Sequence, residues 1–313
     1  MINFESFPKI HNFQNFIKNA NKLGLALPSY NAKPKLHGTN ARIMIRNGEW
    51  FACSKSRVLS GTGDNAEFWA ECDRGLGEAF THLPDCNVYG EWCGQGIQKG
   101  VSVSLIPKKT FFIFLVEDIS NEMLYINPTD ISYFLKDAEH DQVKILPWVF
   151  TEAFDLTESG LKEVEETVNI YDNNDPYIHD EFGLEGVGEG VVMYPFIHTL
   201  PGSLEKYKSL FWKAKGAKHS VSKVKAFKAK KFVDCSGFAN NFLTEARYTQ
   251  ILDENGLTRG CATDIGVFLR NIILDIKSET EAELEESGFV WKEVQRYITL
   301  QAKAWFTKRK SVL

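Results

Sequence analysis

The order of hydrophobic and polar positions along the chain predicts a mixed α+β protein. Residues 41–54 hold two β-rich segments around Asn47-Gly48, the strongest short signal for a β-hairpin. Helical periodicity is found at about 65–81 and at 158–171, where acids occupy the outer face. Clusters of aromatic and β-branched residues predict further buried strands at 86–94, 110–118 and 189–195.

The pattern changes in the last third of the chain. Three helices are predicted there, with Asn255-Gly256 and Ser287-Gly288 as breaks, over residues 237–254, 262–280 and 283–307. The change lies near residues 220–236. We therefore predict a sheet-rich domain over 1–225 and a small all-helical domain over 236–313.

Composition describes an ordinary globular protein, with 43% hydrophobic and 25% charged residues. No apolar run approaches the roughly 20 residues that a membrane span needs. The first residues include Glu5 and lack the apolar core of a secretory signal. The six cysteines form no CxxC pair, which argues against structural zinc and a disulfide framework. We expect a cytoplasmic protein without membrane contact.

Charge is distributed unevenly along the chain. The net charge of −5 argues against indiscriminate nucleic-acid binding. Between Lys213 and Lys231, however, there are eight lysines and no acid. Such a segment allows a locally basic surface to contact phosphates. The alternative is a solvated, disordered linker, and composition alone does not decide between them.

Six short motifs carry the candidate chemistry. Each one alone is more often structural, because KxxG is frequent by chance, an acid before glycine is commonly a turn, and KxK is usually a solvated strand edge. Their order and spacing together are specific. In chain order the motifs are Lys35-Leu36-His37-Gly38, Ser56-Arg57, Tyr89-Gly90-Glu91, Phe111-Phe112-Ile113-Phe114, Glu189-Gly190-Val191-Val192 and Phe211-Trp212-Lys213-Ala214-Lys215.

Taken together, the motifs resemble the covalent nucleotidyltransferase superfamily, which contains ATP-dependent ligases and mRNA-capping enzymes. The stretch from Lys35 to Asn40, with a histidine at position 37, resembles the corresponding motif of the ligase-2 type of RNA ligase, found in phage RNA repair and kinetoplastid RNA editing. DNA ligases typically carry Asp at that position. The resemblance covers about residues 1–220. It implies an α+β nucleotidyltransferase (adenylation) domain of antiparallel sheets and flanking helices around an ATP cleft.

The resemblance also implies the catalytic residues. Lys35 is the expected nucleophile, whose uncharged amine attacks the α-phosphorus of ATP to form a covalent lysyl-AMP. Lys213 and Lys215 alternate along a strand, so both can reach the α-phosphate and offset its charge. Mg²⁺, for which Mn²⁺ can substitute, neutralises phosphate oxygens. Glu189 is the expected carboxylate at the metal.

A further set of residues is expected to bind the nucleotide. By resemblance, Glu91 hydrogen-bonds the ribose and Phe114 stacks on adenine. The family has Asp directly after that Phe, whereas this chain has Leu115, so Phe112 is the alternative. Gly38 is expected to allow close approach of the nucleotide. The remaining expected nucleotide-binding residues are Lys33, Leu36, His37, Asn40, Arg57 and Gln98.

The C-terminal helices resemble the family's RNA-binding domain. Residues 242–256 are similar to the segment that opens that domain, with Arg247 as its basic residue. Asp275 and Glu279 are four residues apart and share a helix face. They correspond to acids needed for sealing, or else form an ordinary solvated face. Contacts through the RNA backbone and shape would make binding sensitive to salt.

The expected function is ATP-dependent ligation of RNA 3′-hydroxyl and 5′-phosphate ends by a monomer. The reaction would pass through lysyl-AMP and an adenylylated RNA 5′ end, with nicks in duplex RNA as preferred substrates. One alternative is an mRNA guanylyltransferase, which shares the lysine but usually has an OB-fold where this chain is helical. The other is a non-catalytic RNA- or nucleotide-binding protein on the same scaffold. The intact set of Lys35, Glu189, Lys213 and Lys215 argues against it.

Overall fold

A computed structural model describes residues 4–13, 15–17, 27–197, 200–216, 234–280, 284 and 287–308. The chain forms two compact units, one of Met1–Ile10 with Ala26–Ala214 and one of His11–Leu25 with Lys215–Leu313. Most of the predicted boundary at 220–236, and most of the lysine-rich segment, lie outside the described residues. The assignment of these units as adenylation and RNA-binding domains therefore stays a prediction.

The strands confirm the predicted β segments. The residues around Asn47-Gly48 form the predicted hairpin, and both turn residues have positive φ angles (52° and 78°), as a type I′ turn requires. In chain order the strands are β1 (His11–Asn12), β2 (Tyr30–Lys35), β3 (Thr39–Arg46), β4 (Glu49–Ser54), β5 (Cys86–Cys93), β6 (Thr110–Asp118), β7 (Met123–Tyr125), β8 (Val143–Ile145), β9 (Gly190–Pro195), β10 (Leu200–Pro201) and β11 (Trp212–Lys215).

The helices agree with the predictions in part. In chain order they are α1 (Phe68–Glu71), α2 (Pro128–Phe134), α3 (Glu158–Asn173), α4 (Pro176–Phe182), α5 (Leu204–Tyr207), α6 (Cys235–Phe242), α7 (Glu245–Glu254), α8 (Ile265–Glu279) and α9 (Trp291–Thr307). Shorter turns are the π-helix Cys72–Leu76 and the 3₁₀ segments Glu78–Phe80, Ser102–Leu105 and Lys208–Leu210. The helix predicted at 158–171 is α3, whose side-chain cap is Thr157.

Two predicted helices are wrong in their continuity. Residues 65–81 form α1 and two short non-α turns, because Gly75 (φ 134°) interrupts the helical geometry. Residues 237–254 form α6 and α7 rather than one helix. The break follows from Thr244, whose hydroxyl accepts from the Arg247 N–H at 3.2 Å and so caps a new helix.

The larger sheet has the order β10-β7-β6-β5-β3-β4, with β8 added in parallel to β6. Its other pairings are antiparallel. The β5–β6 register shifts between Tyr89 and Gly90, which marks a β-bulge. The expected α+β architecture of antiparallel sheets with flanking helices is confirmed.

In the smaller sheet, β9 lies between β2 and β11. Strands β2 and β9 are antiparallel, with Lys35 opposite Gly190. Buried apolar side chains from both sheets form one cluster, which includes Leu36, Phe114 and Tyr194. A second cluster covers the other face of the larger sheet. The first unit therefore holds two layers of core, and the end of β2 lies beside one of them.

The helical unit has a core of its own, built from one face of each of α6 to α9 and including Phe238, Ile272 and Ile298. Sequence reasoning did not predict that residues near the start of the chain belong to this unit. Asn15 belongs to it, since its side-chain amide donates to the Glu279 carbonyl at 2.6 Å.

The cysteines differ between the two units. All six are free thiols. Those of the first unit are buried, namely Cys53, Cys72, Cys86 and Cys93, whereas Cys235 and Cys261 of the helical unit are partly exposed. Across the described ranges, no helix has both the length and the apolar character needed to cross a membrane.

Candidate active site

Lys35 and Glu189 form an ion pair at the edge of the smaller sheet. Lys35 ends β2 and lies opposite the first residue of β9, so Glu189 immediately precedes the strand that faces it. Lys35 Nζ donates to Glu189 Oε2 at 2.5 Å. The Lys35 side chain is 21% exposed, whereas that of Glu189 is 2% exposed. A solvent-accessible amine is thus held by a buried carboxylate.

His37 contacts the same carboxylate. Its Nδ1 lies 3.3 Å from Glu189 Oε2, the oxygen that also accepts from Lys35. The two side chains on either side of Leu36 therefore converge on one acid. The structure brings together these three predicted site residues.

Glu91 lies on β5, opposite Asn40 of β3. Its Oε1 accepts a hydrogen bond from the Gly38 N–H at 3.1 Å. Burial raises the pKa of the Glu91 carboxyl to about 7; the positive charge of Lys35 opposes this rise and the charge of Glu189 adds to it. Glu91 therefore titrates near neutral pH and senses both members of the ion pair.

Gly38 approaches β5 too closely for any side chain. A Cβ at this position would lie 2.3 Å from the Trp92 carbonyl oxygen and 2.5 Å from Cys93 Sγ. From the sequence, the expected reason for a glycine at this position is that it allows close approach of a nucleotide. The structure adds a second reason, which is contact within the protein itself.

The variant Gly38→Ala is expected to be less stable by about 1–3 kcal/mol, because β5 must move to admit the methyl group. Urea denaturation of the two proteins would measure the difference. Gly266→Ala is the matched control, since a Cβ there meets no atom within 4 Å and α8 favours alanine. A Gly38→Ala protein as stable as the wild type would contradict the expected clash.

Asn40 and Gln98 hold different positions around this turn. The Asn40 side-chain oxygen is buried and has no hydrogen-bond partner among the described residues. An unsatisfied buried acceptor of this kind costs about 1–3 kcal/mol. Gln98 Nε2 instead donates to the Gly38 carbonyl at 3.1 Å. Gln98 therefore supports the turn after Lys35.

The two candidate stacking residues differ in exposure. Phe112 is fully buried, with edge contacts to Tyr177 and Phe182. Phe114 is 8% exposed, and Phe7 meets it edge-on at 5.6 Å between ring centroids. Of the two residues, Phe114 is the one that keeps some exposure, which favours it as the stacking residue.

Leu36 and Lys33 are more buried than a ligand contact requires. Leu36 belongs to the apolar cluster between the sheets. Lys33 is fully buried, and its Nζ donates to the Phe114 carbonyl at 2.7 Å. In this structure both side chains make contacts within the protein, and their expected nucleotide contacts stay a prediction.

Lys213 and Lys215 alternate along β11, while Trp212 and Ala214 are buried on its other face. β11 is the neighbour of β9, the strand that begins directly after Glu189. The two lysines thus belong to the sheet that carries the Lys35–Glu189 pair. Their side chains point the same way, as the alternation predicts.

Arg57 lies in the loop after β4 and is exposed. Its guanidinium donates to the carbonyl oxygens of Gly63 at 2.6 Å and Asp64 at 3.2 Å. These bonds close the loop on itself. Arg57 is accessible, and a phosphate would compete with two backbone carbonyls for it.

In the helical unit, Arg247 is only 1% exposed. Its guanidinium pairs with Asp275, and it donates to Glu279 Oε2 at 2.9 Å. The shared helix face predicted for the two acids is real, and the buried arginine lies against it. These three side chains form a network inside the unit, so a direct RNA contact by Arg247 would require it to leave the network.

Sequence reasoning missed the residues that support the loop before Glu189. Asp175 is buried; its side chain caps α4 through the Ile178 N–H and accepts from the Ser102 hydroxyl at 3.0 Å. Its backbone N–H donates to Gly186 O at 2.7 Å. The Asp175-Pro176 pair is a recognisable helix start, but nothing local indicates the partner Ser102.

The side chains of this site fit a magnesium ion that substrate phosphates and water also bind. Within the described part of the chain, no group of three or more His, Cys, Asp and Glu side chains could hold a metal ion. Mg²⁺ is usually bound through one or two carboxylates plus substrate phosphates and water. Glu189 supplies a suitable carboxylate oxygen beside Lys35.

Comparison with known proteins adds a family and a fold. A family model described as RNA ligase matches residues 29–208, more than half of the chain. A Naegleria gruberi RNA ligase variant solved with ATP and Mn is 18% identical (TM-score 0.50), over 70% of this chain and 58% of that chain. A variant with AMP and Mn gives a TM-score of 0.49 at the same identity and coverage. This chain thus spans less than two thirds of that ligase, and the likeness concerns the fold alone. The curated proteins gave no match.

Proposed function

Because the chain belongs to the RNA ligase family, we propose that it is an ATP-dependent RNA ligase that joins 3′-hydroxyl and 5′-phosphate RNA ends. The observation that carries this proposal is the accessible Lys35 amine, 2.5 Å from the buried Glu189 carboxylate. A buried carboxylate is costly unless it is paired, so Glu189 holds the Lys35 amine in a defined position at this site.

In the first step, the Lys35 ammonium group releases a proton to the solvent, and the lone pair of the neutral amine attacks the α-phosphorus of ATP. The Nζ–P bond forms while the bond to pyrophosphate breaks, leaving lysyl-AMP. Glu189 orients the amine, and His37 lies against the same oxygen. A bound Mg²⁺ or Mn²⁺ supplies charge neutralisation at the phosphate oxygens. Lys213 and Lys215 add positive charge where the transition state becomes more negative.

In the later steps, the RNA 5′-phosphate takes AMP from Lys35, and then the RNA 3′-hydroxyl attacks that phosphate and releases AMP. Both displacements transfer a phosphoryl centre in line, so positioning and charge stabilisation dominate catalysis. We assign the ribose contact to Glu91 and adenine stacking to Phe114. The unpaired Asn40 oxygen supports a further nucleotide contact there.

RNA binding is assigned to the helical unit and the lysine-rich segment. We propose that Arg247, Asp275 and Glu279 act there as a linked set, because their ion pairs hold α7 against α8. The preferred substrate is a nick in duplex RNA, bound by a monomer inside the cell. Phosphate contacts by the lysines would make affinity fall steeply with salt.

The direct test is the intact mass of the protein after incubation with magnesium and either ATP or GTP. One added AMP, from ATP only and removable with pyrophosphate, is the expected result. A GMP adduct would indicate a capping enzyme instead. Protein that is already adenylated when purified would gain no mass, and pyrophosphate should then remove AMP from it. If no adduct is added by either nucleotide and no mass is removed by pyrophosphate, the protein is a non-catalytic binding protein. Nicked duplex RNA and single-stranded ends would then be compared as substrates.

The raised pKa of Glu91 predicts a pH-dependent stability. Between its ordinary value of 4.5 and about 7, the folded protein keeps a proton on Glu91 that the unfolded chain has lost. Stability therefore falls as the pH rises through this window, by up to about 3 kcal/mol. Glu91→Gln keeps an acceptor for Gly38 but cannot ionise. Urea denaturation at pH 5 and pH 8 should show a smaller loss for Glu91→Gln; equal losses would contradict the assignment.

A further inference from the structure

Phe114 occupies an irregular position in β6. Its neighbours in the strand have ladder partners, since Ile113 faces Gly90 and Leu115 faces Tyr89. Phe114 falls between these pairs, at the bulge. The other neighbours of β6 also miss it, because the β8 pairing ends at Ile113 and the β7 pairing begins at Val116. In the described part of this sheet, Phe114 is the residue of β6 without a facing partner.

The carbonyl oxygen of Phe114 is satisfied from the other sheet. Lys33 Nζ donates to it at 2.7 Å. The Lys33 side chain is fully buried, and its Nζ lies 5.2 Å from the Trp148 ring centroid and 5.5 Å from that of Tyr194. The amine thus contacts a backbone carbonyl and lies close to two aromatic rings. Burial lowers the pKa of Lys33 well below its usual value, so a neutral amine can fill this place.

From this geometry we infer that Lys33 is a positioning residue of the adenine subsite: its amine holds the β6 bulge so that the Phe114 ring is presented to the base. The inference rests on the proposed function, because it takes Phe114 as the adenine-stacking residue. Lys33 acts through Phe114 and does not touch the nucleotide. This differs from the phosphate contact that a lysine near the nucleophile would suggest.

The position of Lys33 in β2 gives the contact a further role. Lys33 and Lys35 are alternate residues of one strand and point to the same side. Lys35 presents its amine to the α-phosphate, while Lys33 reaches across to the strand that carries Phe114. The hydrogen bond therefore sets the distance between the base-binding ring and the nucleophile. It adds a polar link to the apolar packing that joins the two sheets.

Removing the donor should separate the two halves of the nucleotide. In Lys33→Met the side chain keeps about the same length and its apolar stem, but the Phe114 carbonyl loses its hydrogen-bond donor. AMP affinity is expected to fall about tenfold, since base stacking is weakened. Affinity for inorganic tripolyphosphate, which has no base, should stay within about twofold. Isothermal calorimetry on wild type, Lys33→Met and the exposed control Lys162→Met would measure both.

Each outcome decides a different point. Unchanged AMP binding by Lys33→Met would overturn the inference and leave the proposed function standing. An equal loss for AMP and tripolyphosphate would show a phosphate contact and also overturn it. If wild type bound no AMP, the inference and the proposed function would fail together. Thermal melting first checks that each variant folds. If Lys33→Met does not fold, Lys33→Arg is the second variant, because it keeps a donor among the aromatic rings and should keep most of the AMP affinity. A large loss of AMP affinity in Lys33→Arg would overturn the inference.

Discussion

Replacement of Lys35 with alanine is expected to abolish the AMP adduct and to lower ligation by at least about 10⁴-fold, because the variant lacks the amine proposed to form the covalent intermediate. The neighbouring lysine cannot substitute, since Lys33 is fully buried and bonded to a carbonyl. Intact mass measures the adduct, and fragmentation of the wild-type peptide would locate AMP on Lys35. AMP found on Lys33 would contradict this reading.

Two variants control this experiment. Lys35→Arg keeps the positive charge and an ion pair with Glu189, yet a guanidinium stays protonated and is a poor nucleophile. It should therefore bind ATP while forming no adduct. Lys162→Ala removes a lysine that is 75% exposed on α3 and should leave both measurements unchanged. Adduct formation by Lys35→Ala would overturn the catalytic role.

The second large effect is expected for Glu189→Gln, with a fall in adduct formation of about 10²- to 10³-fold. The amide keeps the shape of the side chain but removes the charge that orients Lys35 and contacts His37. It also removes the carboxylate proposed to lie near the metal. The rate of lysyl-AMP formation at saturating ATP is the measurement, with magnesium and with manganese.

Glu185→Gln is the matched control for that variant. Glu185 is an exposed acid in the same loop, four residues before Glu189, so it tests whether any loss of charge slows the reaction. Its rate should stay within about twofold of wild type, as for most surface substitutions. A Glu189→Gln protein with a normal rate would show that the buried carboxylate is structural alone.

Much of the fold could be predicted because local signals and tertiary contacts agree. Asn47-Gly48 has the backbone freedom that the hairpin turn needs, and the aromatic runs of β5 and β6 are buried as their composition indicates. The failures occur where one residue changes the local geometry. Gly75 interrupts one predicted helix, and the Thr244 cap divides another, although the apolar period continues through both.

The candidate site could be predicted as a set of residues but not as a set of contacts. The motifs identify Lys35, His37 and Glu189, which the fold brings together from separate strands. No local pattern indicates that Lys33 bonds the carbonyl of a bulged residue 81 positions away. Burial of Arg247 could not be predicted from the local sequence either, because its acidic partners lie in another helix. Long-range polar contacts of this kind depend on the packing of whole elements.

The unequal exposure of the cysteines in the two units allows selective fluorescent labelling of the helical unit. The first unit keeps its thiols in the core, where burial raises the pKa of Cys86 to about 12 and leaves little reactive thiolate. Only the helical unit has partly exposed cysteines, at positions 235 and 261. A maleimide dye should therefore label that unit selectively in the unaltered protein. The fluorescence of such a dye would test whether RNA binds at the helices, independently of chemistry at Lys35.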